Sequence, residues 1–192
     1  MHPPDYNLTL ARAILSEFEP FLQSPDAFWP LSATSPRPGI PFPRLSLGAL
    51  LLALAELRAA EADVDPAGRD AGQAVKREFD RIRQKWAVAL EHKALSESSQ
   101  RLSIWRAYLQ DLSDARADPA DYPREVRQRV VLARLLEVAR QSPDSRTAIG
   151  SLAEWDSILR GLLIPGGFIW DARLKDVYPE EDFWFLYGTI TT

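Results

Sequence analysis

The chain offers little raw material for chemistry: two histidines, no cysteine and one short run of cations. His2 stands at the N-terminus and His92 follows Glu91, so no pair of imidazoles has zinc-ligand spacing, and thiolate sites are excluded outright. A carboxylate-only Mg²⁺ site would need acidic residues at loop spacing, and none occur. His92 as a general base would require an orienting acceptor and a pocket. Gly166 and Gly167 are adjacent and follow a predicted helix, whereas a phosphate cradle opens a helix after a strand. No serine sits in a nucleophile elbow. The sequence therefore assigns no catalytic, cofactor-binding or metal-ligating residue.

Two clusters have binding character instead. Arg77, Arg81 and Lys85 recur every fourth residue and fall on one helical strip, a weak anion-binding candidate. Between Lys76 and Lys85 five basic residues face two acidic ones, which is thin for a duplex that takes roughly six to ten phosphate contacts. Nucleic acid is not the expected partner; a solvated face laced by local ion pairs is. The second cluster is aromatic: Phe168, Trp170, Tyr178, Phe183, Trp184, Phe185 and Tyr187 crowd the C-terminal end. Three consecutive aromatics cannot all face one side of a strand. Trp170, Phe183, Trp184, Phe185 and Tyr187 are accordingly the candidates for contacting a protein partner.

These residues must be positioned by helices. Val75, Phe79, Ile82, Trp86 and Ala89, then Leu102, Trp105, Leu109 and Leu112, form an apolar stripe over Gln73–Leu112 without proline or glycine. The spacing predicts one long central helix, or a hairpin broken near Ser98, where Ser96, Ser98 and Ser99 compete for backbone hydrogen bonds. A first helix is predicted from an Asn7 cap through Leu10, Ile14, Phe18 and Phe21, with Pro20 near its end. Ser46 is expected to cap a second helix burying Leu47, Leu50, Leu51, Leu54 and Leu57. A helix over 124–141, apolar over most of its circumference, should be the most central one. The last, begun by Ser142 and Pro143, carries Ala148, Leu152, Trp155, Leu159 and Leu162, with Gly150 calling for a neighbouring backbone. Six prolines in 24–44 predict an extended loop wrapping the core, pinned by Phe28, Trp29 and Phe42.

Composition bounds the rest. With 192 residues, 46% hydrophobic and 26% charged, and a formal charge of −4, the chain reads as one globular domain over 1–192. Arginine outnumbers lysine 19 to 4, a bias that a GC-rich coding genome explains. No secretory leader is discernible, and the longest apolar window, Leu45–Leu57, spans only about 20 Å as a helix against a bilayer core of about 30 Å. No membrane association and a cytoplasmic location follow as expectations. The fold expected is mainly α: about five helices around one core, the Pro-rich loop, and a small aromatic β-hairpin in 164–192. The function expected is a non-catalytic helical module for protein–protein contact or homo-oligomerisation. The alternatives are a small-molecule binder or enzyme with a pocket between the helices and the aromatic tail, and a nucleic-acid-binding regulator.

Overall fold

The computed structural model describes residues 4–190. It is mainly helical and ends in a small antiparallel β-hairpin, the fold class expected. Contacts divide the chain into two compact units, residues 1–97 and 98–192. Among the described residues nine α-helical segments occur, two of them single turns, so the expected five is too few. The reason is local: what periodicity joins, backbone breaks divide.

In the first unit α1 (Pro4–Ser16) and α2 (Phe18–Gln23) are one apolar stripe interrupted at Glu17. Pro20 lies within α2 and has no amide to give residue 16. Asn7 does not cap: α1 begins earlier, and Asn7 is buried inside it. Helix α3 (Leu47–Ala59) does begin on Ser46, whose Oγ accepts from the Ala49 amide at 3.1 Å. Helix α4 (Pro66–Lys85) starts before Gln73, because Asp65 caps it through the Gly68 amide and Pro66 supplies its first turn. Helix α1 packs on α3 and α4. The proline-rich segment is ordered: Trp29 and Leu45 exchange two backbone hydrogen bonds of 2.9 Å, and the Phe42 ring meets Tyr6 at 5.2 Å.

The stripe over 73–112 is neither one straight helix nor a hairpin at Ser98. It breaks at Trp86 (φ −118°, ψ 32°), and α5 (Ala87–Ser113) runs unbroken through the serines. Ser103 instead donates back to the Ser99 carbonyl four residues earlier, a bond a helix accommodates. The bend lies between two sets of anchors. Val75, Phe79 and Ile82 hold α4, while Leu90, Lys93, Ala94 and Glu97 are buried on α5.

Residues 98–192 build the second unit. After the rest of α5 come α6 (Tyr122–Glu125) and α7 (Arg127–Val138), then α8 (Ser145–Leu162) and β1 (Leu163–Phe168). A single turn, α9 (Glu180–Phe183), precedes β2 (Tyr187–Ile190). Helix α7 buries Arg129, Val130, Val131, Leu132, Leu135 and Leu136, which makes it the most enclosed helix of its unit. Helix α8 starts at Ser145, three residues past the expected Ser142 cap, and buries only Ser145, Leu152 and Leu159. The strands pair Leu163 with Ile190 and Pro165 with Gly188, with a bulge before the Phe168–Tyr187 pair.

Among the described residues, a Cβ at Gly150 would meet nothing within 4 Å beyond the backbone of its own helix turn. The expectation of a close backbone is thus overturned, and Gly150→Ala should stabilise the protein by about 0.5–1 kcal/mol through helix propensity. A lowered denaturation midpoint would show a constraint at that site that the fold does not reveal.

Candidate functional site

The C-terminal aromatics form a ladder with arginines. Phe183 closes α9, and Trp184–Leu186 make a 3₁₀ turn, where strands were expected. Three acids, Glu180, Glu181 and Asp182, occupy the first turn after Pro179 and favour a helical start. The turn spreads consecutive rings around an axis instead of alternating them. Phe183, Phe185 and Tyr187 are buried, while Trp170 and Trp184 remain half-buried. Arg134 of α7 lies over the Phe183 and Tyr178 rings at 4.8 and 5.3 Å; Arg129 lies over Phe185 at 4.3 Å. Arg160 of α8 covers Trp184 at 3.7 Å. Arg129 is also held by Asp156 of α8 through two bonds of 2.8 and 2.7 Å. Trp170 gives its indole N–H to the Pro123 carbonyl at 2.7 Å. The cluster is thus a cross-linked core. Trp170 and Trp184 keep some exposed surface, and Phe183, Phe185 and Tyr187 keep almost none.

Phenols bind this core together. Tyr122 donates to the Phe185 carbonyl at 2.6 Å and Tyr187 to the Tyr178 carbonyl at 2.9 Å. Burial raises the pKa of Tyr122 and Tyr187, and raises that of Tyr108 to about 12, because the phenolate would lose its hydration. A folded pKa above the unfolded value of about 10 means that this contribution is complete below pH 10 and lost as pH rises beyond it. Lys93 in the first unit is shifted down by burial and acts in the opposite sense. Absorbance titration at 295 nm should therefore find Tyr108 and Tyr122 still protonated at pH 11, and Tyr187 titrating above an ordinary tyrosine. The stability in denaturant should fall above pH 10 by up to about 1.4 kcal/mol per pH unit for each retained proton. Simultaneous ionisation of all five tyrosines near pH 10 would contradict the burial.

The first unit carries an open cleft of about 890 Å³ at the Trp86 bend. Leu22, Pro25, Trp86, Ala87, Val88 and Ala89 line it, together with the polar Gln84, Lys85, His92 and Lys93. Among the described residues no acidic side chain lines it. Val88 stands at 68% exposure, a large apolar side chain offered to solvent. His92 is exposed and, among the described residues, has no hydrogen-bond partner to orient it as a base. Lys93 is 5% exposed and fully engaged: its ammonium donates to the carbonyl and hydroxyl of Ser24 and to the Asp26 carbonyl, and lies 4.1 Å from the Phe21 ring centroid. It holds the 24–26 wall of the cleft against α5.

The cationic strip runs into this cleft through Lys85. Lys85 bonds Glu19 at 2.7 Å, and Arg81 pairs with Glu78 at 2.6 Å and Glu19 at 3.5 Å. The Lys85 ammonium, foremost, holds the Glu19 carboxyl below its ordinary pKa. Arg77 is exposed and has no ion pair among the described residues. Sequence reading overlooked three buried charges. Lys93 and Glu97 fall on the Leu90–Ala94 stripe at helical spacing, a readable signal, whereas nothing in sequence pairs Arg129 with Asp156. Glu97, 1% exposed, accepts from the Gly48 amide at 3.0 Å and so gives α3 a second cap.

His2 lies outside the described residues. Among the described residues no group of three or more potential metal ligands occurs, and no helix is long and apolar enough to cross a membrane. No known protein family, curated protein or solved structure matches the chain.

Proposed function

We propose that the chain is a non-catalytic helical module that binds another protein. The observation that carries this reading is the cleft at the Trp86 bend. It is open and largely apolar, with Val88 presented at its lip, and it lacks a convergent set of reactive groups: Lys93 is consumed by the loop and His92 has no orienting partner. Exposed apolar surface at a concave site supports recognition more than chemistry. The half-buried Trp170 and Trp184 extend the proposal to a second contact on the other unit.

The test is affinity capture from native extract with the wild type, Val88→Asp, and Ile149→Asp as a matched control. Val88 and Ile149 are both exposed, at 68% and 46%, so neither change should unfold the chain. The expected result is a protein retained by the wild type and Ile149→Asp, lost from Val88→Asp, and bound again when both components are purified. Sedimentation of the same variants reads self-association. If no protein shows this pattern and the chain stays monomeric, the reading fails. A second reading, small-molecule binding, is supported by the cleft volume, which lies within the ~300–1,000 Å³ of ligand pockets.

A further inference from the structure

The cleft does not stand alone. Lys85 lines it and is also the last member of the strip Arg77, Arg81, Lys85, which extends about 12 Å back along α4 on the same helical face. We infer, building on the interaction reading above, that cleft and strip form one docking site for an acidic segment of another protein. An apolar side chain of that segment would enter beside Trp86 and Val88, and its carboxylates would lie along α4.

Charge complementarity argues for this occupant. Five basic residues stand against two acidic ones between Lys76 and Lys85, on a chain whose net charge is −4. Arg77 is exposed and without an ion pair among the described residues, and Arg83 meets Asp80 only at 3.5 Å. Nucleic acid fits less well. An apolar cleft gives a phosphate backbone nothing, and five cations are few for a duplex that takes roughly six to ten phosphate contacts. A small ligand filling the cleft would leave the strip unused.

Glu19 gives the proposal its sharpest consequence. Its carboxylate already bridges Lys85 and Arg81, so it occupies the place an incoming carboxylate would take. Glu19 is an internal competitor, and removing its charge should tighten binding.

Fluorescence anisotropy with labelled synthetic peptides tests this. The probe is a short amphipathic peptide with leucine at helical spacing and glutamate elsewhere, beside otherwise identical lysine and glutamine versions, and duplex DNA. The glutamate peptide should bind at least about tenfold more tightly than the lysine peptide, with an affinity that weakens as salt rises. Val88→Asp and the triple change Arg77→Gln, Arg81→Gln, Lys85→Gln should each weaken it about tenfold, and Glu19→Gln should strengthen it severalfold. Melting temperatures confirm that these surface variants remain folded. If the lysine or glutamine peptide binds as well and Val88→Asp abolishes it, the cleft is a docking site but the acidic partner is wrong. If no peptide binds, while a natural partner is still captured through Val88, this inference fails and the broader reading survives. Preferential binding of DNA overturns the inference.

Discussion

Asp156→Ala is expected to destabilise the protein by roughly 3–5 kcal/mol, because it removes one partner of a buried ion pair. Arg129 and Asp156 have only 9% and 17% of their side-chain surface exposed, and the carboxylate meets the guanidinium through two short bonds. Removing the carboxylate strands a cation against the Phe185 ring, with a third nitrogen, Nη1, already buried and unpartnered. The penalty comes from that stranded charge more than from the lost attraction. The double change Arg129→Met, Asp156→Leu should therefore recover much of the loss, since apolar replacement of a buried pair is often near neutral. Denaturant unfolding of the two single variants and the double variant decides the matter. A single-variant loss below about 1 kcal/mol, or additive losses, would mean that water reaches the pair.

Gly188→Ala should cost on the order of 3 kcal/mol, by a different route. Gly188 has φ +155°, and a Cβ there would run into the Ile164 carbonyl oxygen across the hairpin. The closest obstacle is the Ile164 backbone carbonyl, which no side-chain rotation can move away, and the region is essentially reserved for glycine. Pro165 lies opposite in the register, which limits how β1 can adjust. The contrast with Gly150→Ala is the control: the same substitution should stabilise where space is open and φ is helical. If both variants behave alike in thermal unfolding, the strand geometry around Gly188 is misjudged.

How much of this was legible depends on which force sets each feature. Apolar spacing reports burial, so the stripe around Val75, Phe79 and Ile82, the enclosed α7 and the pinned proline loop could all be read. Side-chain chemistry at a single position made the Ser46 cap readable as well. The break at Trp86 was not readable, because no proline or glycine marks it and its flanking anchors, Lys93 and Glu97, bind partners 69 and 49 residues away. Trp86 consequently lines a cleft instead of filling a core. The aromatic run misled for a related reason. Alternation and helical turns both suit three adjacent rings, and the preceding acids at 180–182 decided for a turn. The cationic strip was visible by spacing, yet the pairing of Arg81 and Lys85 with Glu19 on α2 was not.

Glu97 has a consequence for the order of events on the ribosome. The first turn of α3 is capped twice, once by Ser46 at its own start and once by a carboxylate that emerges 49 residues later. At a synthesis rate of about 5–20 residues per second that delay is roughly 2–10 s. During it the Gly48 amide must rely on water. The Ser24 carbonyl waits longer, for Lys93. The nascent first unit would thus pass through a state in which α1 to α4 are present but the fastening from α5 is still missing. In that interval the first turn of α3 would be held by Ser46 alone.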